Sequence, residues 1–262
     1  YADDMDLNTW LTTAIWPLEA HLTPDDIYWA SLLSMAEGIR SGATTFCDMY
    51  YELDRVADAA VEIGMRGLLT RGLTDIDGSG EEKLEKTRML YASCHGKGDD
   101  LVRVAPAPHA IYTCSGDYIK DIISLAKDMD GLLHLHASET KKEVEDSVEN
   151  YGKTPVDYMM GLGLGEVHTI AAHCVHMTEE EMDLVDKSKF FPVYNPSSNL
   201  KLASGFTPVQ TLLDKGFRVA LGTDGDSSNN NQNMLEEMHI ASIVNKAVTM
   251  DPEAVSAADV IR

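Results

Sequence analysis

The stretch GLLHLHASET, residues 131–140, sets His134 and His136 two positions apart at the end of an apolar run, with Glu139 three residues after the second. Imidazoles beside a carboxylate are the usual ligands of zinc and similar divalent metals, and an open coordination position lowers the pKa of a bound water to about 7. Such a set offers a hydrolytic nucleophile at neutral pH, and a carboxylate just past the strand, Glu139, is placed to shuttle a proton. Other apolar runs end alike: VAPAP leads to His109, TIAA to His173, PVY to Asn195 and Ser197, ALGT to Asp224, and GLLT to Arg71.

Each of these residues also has a plainer reading. Residues i and i+2 share one face of a strand, so His136, the outer of the pair, is the one a metal at the strand end would touch, and His134 reads as a buried histidine one layer down. Glu139 lies near a helix start at Thr140, where acidic residues are favoured for the helix dipole alone. Asp224 and Asp226 lie in the turn-rich LGTDGDSSNNNQN and suit Asx turns, and His176 reads as a loop residue beside Thr178. The reactive reading gains if the runs are parallel strands, because their C-terminal ends then face one mouth.

The elements needed for that are present. ATTFCDMY, RGLLTRGL, LVRVAPAP, GLLHLHA, VHTIAAH, FFPVYNP and FRVALGTD are short, nearly continuous apolar runs, which is how strands covered on both faces read. Between them lie amphipathic stretches with helix-start signals: Thr23-Pro24-Asp25-Asp26 and the capping boxes Thr140-x-x-Glu143 and Thr178-x-x-Glu181. Strand then helix, repeated seven times, gives a parallel α/β protein, either doubly wound or a (β/α)₈ TIM barrel short of one strand. The first strand is followed by no G-x-G-x-x-G turn, which disfavours the doubly wound fold.

All 262 residues fit a single partial barrel domain, since one core can grow to about 250 to 300 residues. The 21 basic against 43 acidic residues give a formal charge of −22, which repels phosphate backbones and makes nucleic acid an unfavourable partner. No apolar run approaches the roughly 18 residues of a membrane span. The cysteines at 47, 94, 114 and 174 form no C-x-x-C pair, so neither a zinc ribbon nor a disulfide framework is expected, and a reducing cytoplasm is the default. The chain opens at YADDMDLNTW without a methionine and ends at SAADVIR within a capped helix, so it reads as a piece of a longer protein.

Taken in order, IWPLEAHLT, GATTFCDMY, RGLLTRGL, APHAIYTCS, LHLHASET, AAHCVHM, YNPSSNLKLASG and LGTDGDSSNNN span essentially the whole chain and resemble the amidohydrolase superfamily. More narrowly they resemble its deaminases of 5′-methylthioadenosine and S-adenosylhomocysteine, in the group that also holds triazine chlorohydrolases. The resemblance implies a TIM barrel of the metal-dependent hydrolase type. It makes His136 a metal ligand, His173 the histidine near metal and nucleophile, and Asp224 the carboxylate that binds metal and accepts the water proton. Glu139 becomes the residue that protonates the purine. Trp10 and Glu19 would form the nucleoside pocket, with Glu19 accepting from the ribose hydroxyls. His109 would contact the nucleoside, Arg71 would bind a homocysteine carboxylate, and Ser228 would lie near the base.

Two departures follow. The H-x-H pair of the first strand, two further metal ligands, would lie upstream of Tyr1, and the small β-sandwich that flanks the barrel is likewise outside the chain. Lys83 stands where a second arginine for the homocysteine carboxylate is expected; it keeps the charge and loses the bidentate fork. The expected cofactor is zinc, with iron or nickel accepting much the same ligands, and the expected partner is a small nucleoside, with a homo-oligomer left open. The competing expectations are a hydrolase of another heterocycle, guanine or a triazine, and a barrel that is inactive in this truncated form. The other zinc deaminase design, H-x-E with P-C-x-x-C, is excluded by the cysteine spacing.

Overall fold

The computed structural model describes residues 2 and 4–262. Near its start the Asp6 carboxylate accepts from the amides of Asn8 and Thr9, both at 3.1 Å, and opens a helical arm that runs to Glu19 with a π-helical turn at Leu11–Ile15. Helix α1 (Pro24–Arg40) begins at the expected signal: Thr23 and Asp26 form a reciprocal capping box, with proline in the first turn.

Strands and helices then alternate. β1 (Thr45–Tyr50) leads to α2 (Leu53–Ile63), β2 (Arg66–Leu73) to α3 (Gly80–Cys94), β3 (Val102–Pro108) to α4 (Gly116–Asp128), and β4 (Leu132–Ala137) to α5 (Lys141–Tyr151). After these come β5 (His168–His173), α6 (Glu179–Leu184), β6 (Phe190–Tyr194), α7 (Pro196–Lys201), β7 (Ala220–Leu221) and α8 (Met234–Thr249). All pairings are parallel and follow chain order, β1-β2-β3 in one sheet and β4-β5-β6-β7 in the other. The two sheets meet at the strand ends, where the His136 amide donates to the His109 carbonyl at 3.1 Å. All seven apolar runs therefore contain a strand of a parallel (β/α) barrel, with their ends on one side.

The core lies between strands and helices. α4 shows why: Ile119, Ile122, Ile123 and Ala126, at i, i+3, i+4 and i+7, are all buried against Leu133 and Leu135 of β4, and Ser115 caps the helix at the Tyr118 amide. Ile122 is fully buried, so truncation to alanine costs about 2–5 kcal/mol. Two expectations need correction. The last strand was expected over 217–224 and is only Ala220–Leu221, because only these residues find ladder partners, Val193 and Tyr194. β1 is not covered on both faces: Thr45 and Cys47 are exposed, because β1 pairs only with β2.

Candidate active site

Backbone strain marks the mouth. Ser138, just past β4, His173 and Cys174 at the end of β5, and Asp224, past β7, all have left-handed φ, at +48°, +72°, +51° and +60°. Such residues cost on the order of 1–3 kcal/mol each and persist where the surroundings hold them. Here the surroundings do so. The Cys174 and His176 amides donate to the carbonyls of Ala137 (3.0 Å) and Ser138 (2.8 Å), and Thr207 donates to the His173 carbonyl at 2.6 Å.

The structure brings the expected reactive groups together. The His136 and His173 rings stack with centroids 5.4 Å apart, and His109 lies 4.9 Å from His136. Glu139 Oε2 stands 3.6 Å from His173 Nε2, and both residues are buried. Burial pushes the Glu139 carboxyl up to about 7; the Asp224 charge acts in the same direction and His136 against it. A carboxyl so tuned both gives and takes a proton near neutral pH. Burial holds His136 and His173 below the ordinary imidazole range and His109 down at about 3, so all three are neutral.

The two imidazoles are also oriented. His136 Nδ1 donates to the His109 carbonyl at 2.8 Å, which leaves its Nε2 with a free lone pair, the form a metal needs. His173 Nδ1 faces the fully buried Asn199 amide at 2.8 Å, and Asn195 at 3.4 Å. Asn199 Oδ1 has no partner among the described residues; with the amide turned over, it would accept from His173 Nδ1 and free Nε2 in the same way. Asp224 reaches the solvent side of the mouth, where it accepts from Ser198 (2.7 Å) and the Gly225 amide (2.8 Å). Desolvation works to raise its carboxyl, but His173, Ser198, His136 and Gly225 together hold it below the ordinary value, so it is ionised. The donor chemistry therefore fits a divalent metal. Among the described residues no group of three or more His, Cys, Asp or Glu is close enough to hold one.

His134 lies one layer down and buried. Thr70 Oγ1 donates to the Asp48 carbonyl at 2.8 Å, so its lone pair is what His134 Nδ1 meets at 3.0 Å. A second group forms at the ends of β1 and β2. Tyr50 is in register with Arg71, and its hydroxyl donates to the half-buried Glu19, whose carboxyl is raised by burial. Tyr51 lies between the charges of Glu19 and Arg71, and Arg71 Nε is buried without a partner among the described residues.

The remaining expected site residues lie outside these two groups. Trp10 is packed with Ile15 and Leu202, its indole N–H unpartnered. Ser228 is buried with its hydroxyl on the Gly225 carbonyl. Lys83 donates to Thr74 and pairs with Asp77 at 3.0 Å.

Sequence reasoning missed Asn199, Ser198, Thr207, Tyr50 and the real task of Glu143. Thr140-x-x-Glu143 reads as a capping box, and Thr140 does accept from the Glu143 amide at 3.1 Å. The Glu143 carboxyl, beside the Thr140 amide, also accepts from Ser138 (3.2 Å) and Glu139 (2.7 Å), whereas Thr178 and Glu181 form the reciprocal box as expected. Burial pushes the Glu143 carboxyl up to about 8, with the Glu139 and Ser138 amides opposing. A cavity of about 400 Å³ lies behind it, lined by Asp75, Ile76, Tyr112, Asp146 and Tyr151.

With this geometry in place, comparison with known proteins adds three findings. The profile of the amidohydrolase family matches residues 1–262. The chain is 52% identical over 264 residues to the 5-methylthioadenosine/S-adenosylhomocysteine deaminase of Caldanaerobacter subterraneus subsp. tengcongensis and 51% identical to that of Thermoanaerobacter pseudethanolicus; all of this chain aligns, with 61% of each relative's length. Among solved structures, an adenosine deaminase from Xanthomonas campestris with bound zinc superposes with a TM-score of 0.92 at 35% identity, over 100% of this chain and 60% of that one.

Proposed function

We propose, on the premise that this chain belongs to the amidohydrolase family, that it forms most of the catalytic barrel of a hydrolase that deaminates an adenosine-type nucleoside, 5′-methylthioadenosine or S-adenosylhomocysteine, releasing ammonia. The observation that carries this reading is Glu139: a buried carboxyl raised to about 7, beside His173 at the mouth of the barrel. An aminopurine needs a proton on the ring nitrogen beside the attacked carbon and another on the departing amine; a carboxyl that titrates near neutrality supplies the first, and the proton released by the attacking water supplies the second.

A divalent metal, zinc by preference, held by His136, His173 and Asp224 with ligands from outside this chain, would supply a water ionised near neutral pH. Asp224, ionised and restrained by Ser198 and Gly225, accepts the proton of the attacking water and passes it on to the departing amine. His173, with Nε2 3.6 Å from Glu139 Oε2, keeps the metal-binding position and the proton shuttle side by side. His109 contacts the nucleoside. Glu19, Trp10 and Ser228 take the nucleoside, and Arg71 takes the carboxylate of the longer substrate. The 262 residues alone carry part of the metal site, so the full-length protein is the active form in this reading.

The test is ammonia release by the metal-loaded full-length protein from methylthioadenosine, S-adenosylhomocysteine, adenosine, guanine and a triazine. Nucleosides are expected to lead, and Glu19→Ala to raise KM for them roughly 10-fold or more, as loss of a charged hydrogen bond does, while leaving free bases unaffected. Faster turnover of guanine or the triazine would overturn the assignment.

A further inference from the structure

We propose that Glu143 is a positioning residue whose carboxylate, seated on the amides of Ser138 and Glu139, sets the turn that aims the Glu139 side chain at His173. The proposal rests on the reading of Glu139 as the proton shuttle. Glu143 is buried, and its two oxygens have separate tasks: Oε1 accepts from Ser138 at 3.2 Å and Oε2 from Glu139 at 2.7 Å. Successive amides pointing one way are what a left-handed residue produces, and such a nest takes an anion. Here Ser138 is the left-handed residue and the chain supplies the accepting oxygens itself, five residues on. Ser138 is also held from the far side, its carbonyl accepting from the His176 amide at 2.8 Å.

A helix cap requires none of this. In a capping box the acidic side chain returns to the cap residue itself, as Glu181 does to Thr178 at 2.8 Å. Glu143 also feels the Thr140 amide, but its closest bonds go to the residue read as the proton shuttle and to the strained residue before it. Because both oxygens accept, glutamine cannot replace the carboxylate: its amide group meets one of the two N–H groups donor to donor. The turn then relaxes, and a displacement of about 1 Å at a reacting group is enough to cost roughly 100-fold in rate.

The experiment uses the metal-loaded full-length protein and the variants Glu143→Gln, Glu143→Asp and Thr140→Ala, measuring kcat, KM and Tm together with backbone hydrogen exchange over residues 137–144. Glu143→Gln is expected to lower kcat roughly 10- to 100-fold with KM within about threefold, and to speed exchange at residues 138 and 139 roughly 10-fold. Thr140→Ala removes the cap but not the nest, so it should lower Tm and leave kcat unchanged. Glu143→Asp, charged but one methylene short, carries the same test if the glutamine variant does not fold. Wild-type kcat in either Glu143 variant, or unchanged exchange, would reduce Glu143 to a helix cap and overturn the proposal. If the wild-type protein released no ammonia, the function reading would fail, while the exchange contrast would still decide whether Glu143 holds the turn.

Discussion

At the ends of β4 and β5 the reactive groups are gripped from behind, and at the ends of β1 and β2 they are not. His136 is fixed by the His109 carbonyl, His173 by Asn199 and Thr207, and the Glu139 amide by Glu143. Across the mouth, Arg71 Nε has no partner among the described residues, and Glu19 is half-buried with the Tyr50 hydroxyl as its hydrogen-bond donor. The contrast follows the chemistry. In the proposed reading, proton transfer tolerates little positional error, so its side of the mouth is braced by the chain itself, whereas the substrate-binding side gains from groups that remain unsatisfied until the ligand arrives.

The largest expected effect lies on the braced side. Glu139→Gln keeps shape and burial but removes the transferable proton, so ammonia release by the full-length protein should fall about 10²- to 10⁴-fold with substrate still bound. A loss under tenfold would mean that the bracing serves packing and not proton transfer.

The same substitution should stabilise the metal-free protein. The folded Glu139 carboxyl lies near 7 against an ordinary value of 4.5, so folding holds a proton that the unfolded chain has released. With the folded value raised, stability is complete below pH 4.5 and is lost as pH rises through 7, by on the order of 3 kcal/mol. Denaturant unfolding at pH 5 and pH 8.5 should therefore show a loss in the wild type that Glu139→Gln largely removes. Equal pH dependence in both proteins would show that the burial carries no cost.

Asn199 tests the bracing one step further out. Asn199→Ala leaves His173 Nδ1 without its closest partner, and losing such a supporting hydrogen bond typically costs about 10- to 100-fold in metal affinity or activity. Chelator competition against the full-length protein measures it directly. Metal retention at the wild-type level would mean that Asn195 suffices to hold the ring.

Much of this was readable in the chain. The strands announced themselves as apolar runs, and the mouth followed from asking which polar residue comes next, which located His109, His136, His173 and Asp224 at once. What could not be read were the supports. Asn199 and Thr207 lie 26 and 34 residues from His173, on segments with no periodic relation to it, and meet it only because β5 and β6 are neighbours. Glu143 was visible as a helix-start signal, but the motif specifies spacing and not which amide the carboxylate reaches. The last strand was overextended because apolar character continues past the point where ladder partners end.

The smallest expected effect belongs to the open side and separates its two cations. Lys83 was expected to help bind a homocysteine carboxylate, but its ammonium already donates to the Thr74 carbonyl at 3.0 Å and hydroxyl at 2.6 Å and pairs with Asp77 at 3.0 Å. Drawing it onto a ligand would exchange one carboxylate for another, and a partly exposed pair of this kind is worth about 0–1 kcal/mol either way. Arg71 has no such competitor at Nε, so its charge-assisted bond to a ligand carboxylate would be a net gain. Lys83→Met should change KM for S-adenosylhomocysteine less than about threefold, where Arg71→Met raises it roughly 10-fold or more and spares methylthioadenosine. If Lys83→Met instead weakened S-adenosylhomocysteine alone, by as much as Arg71→Met, the Asp77 pair would be a resting position that substrate breaks, and the open side would be more organised than its free groups suggest.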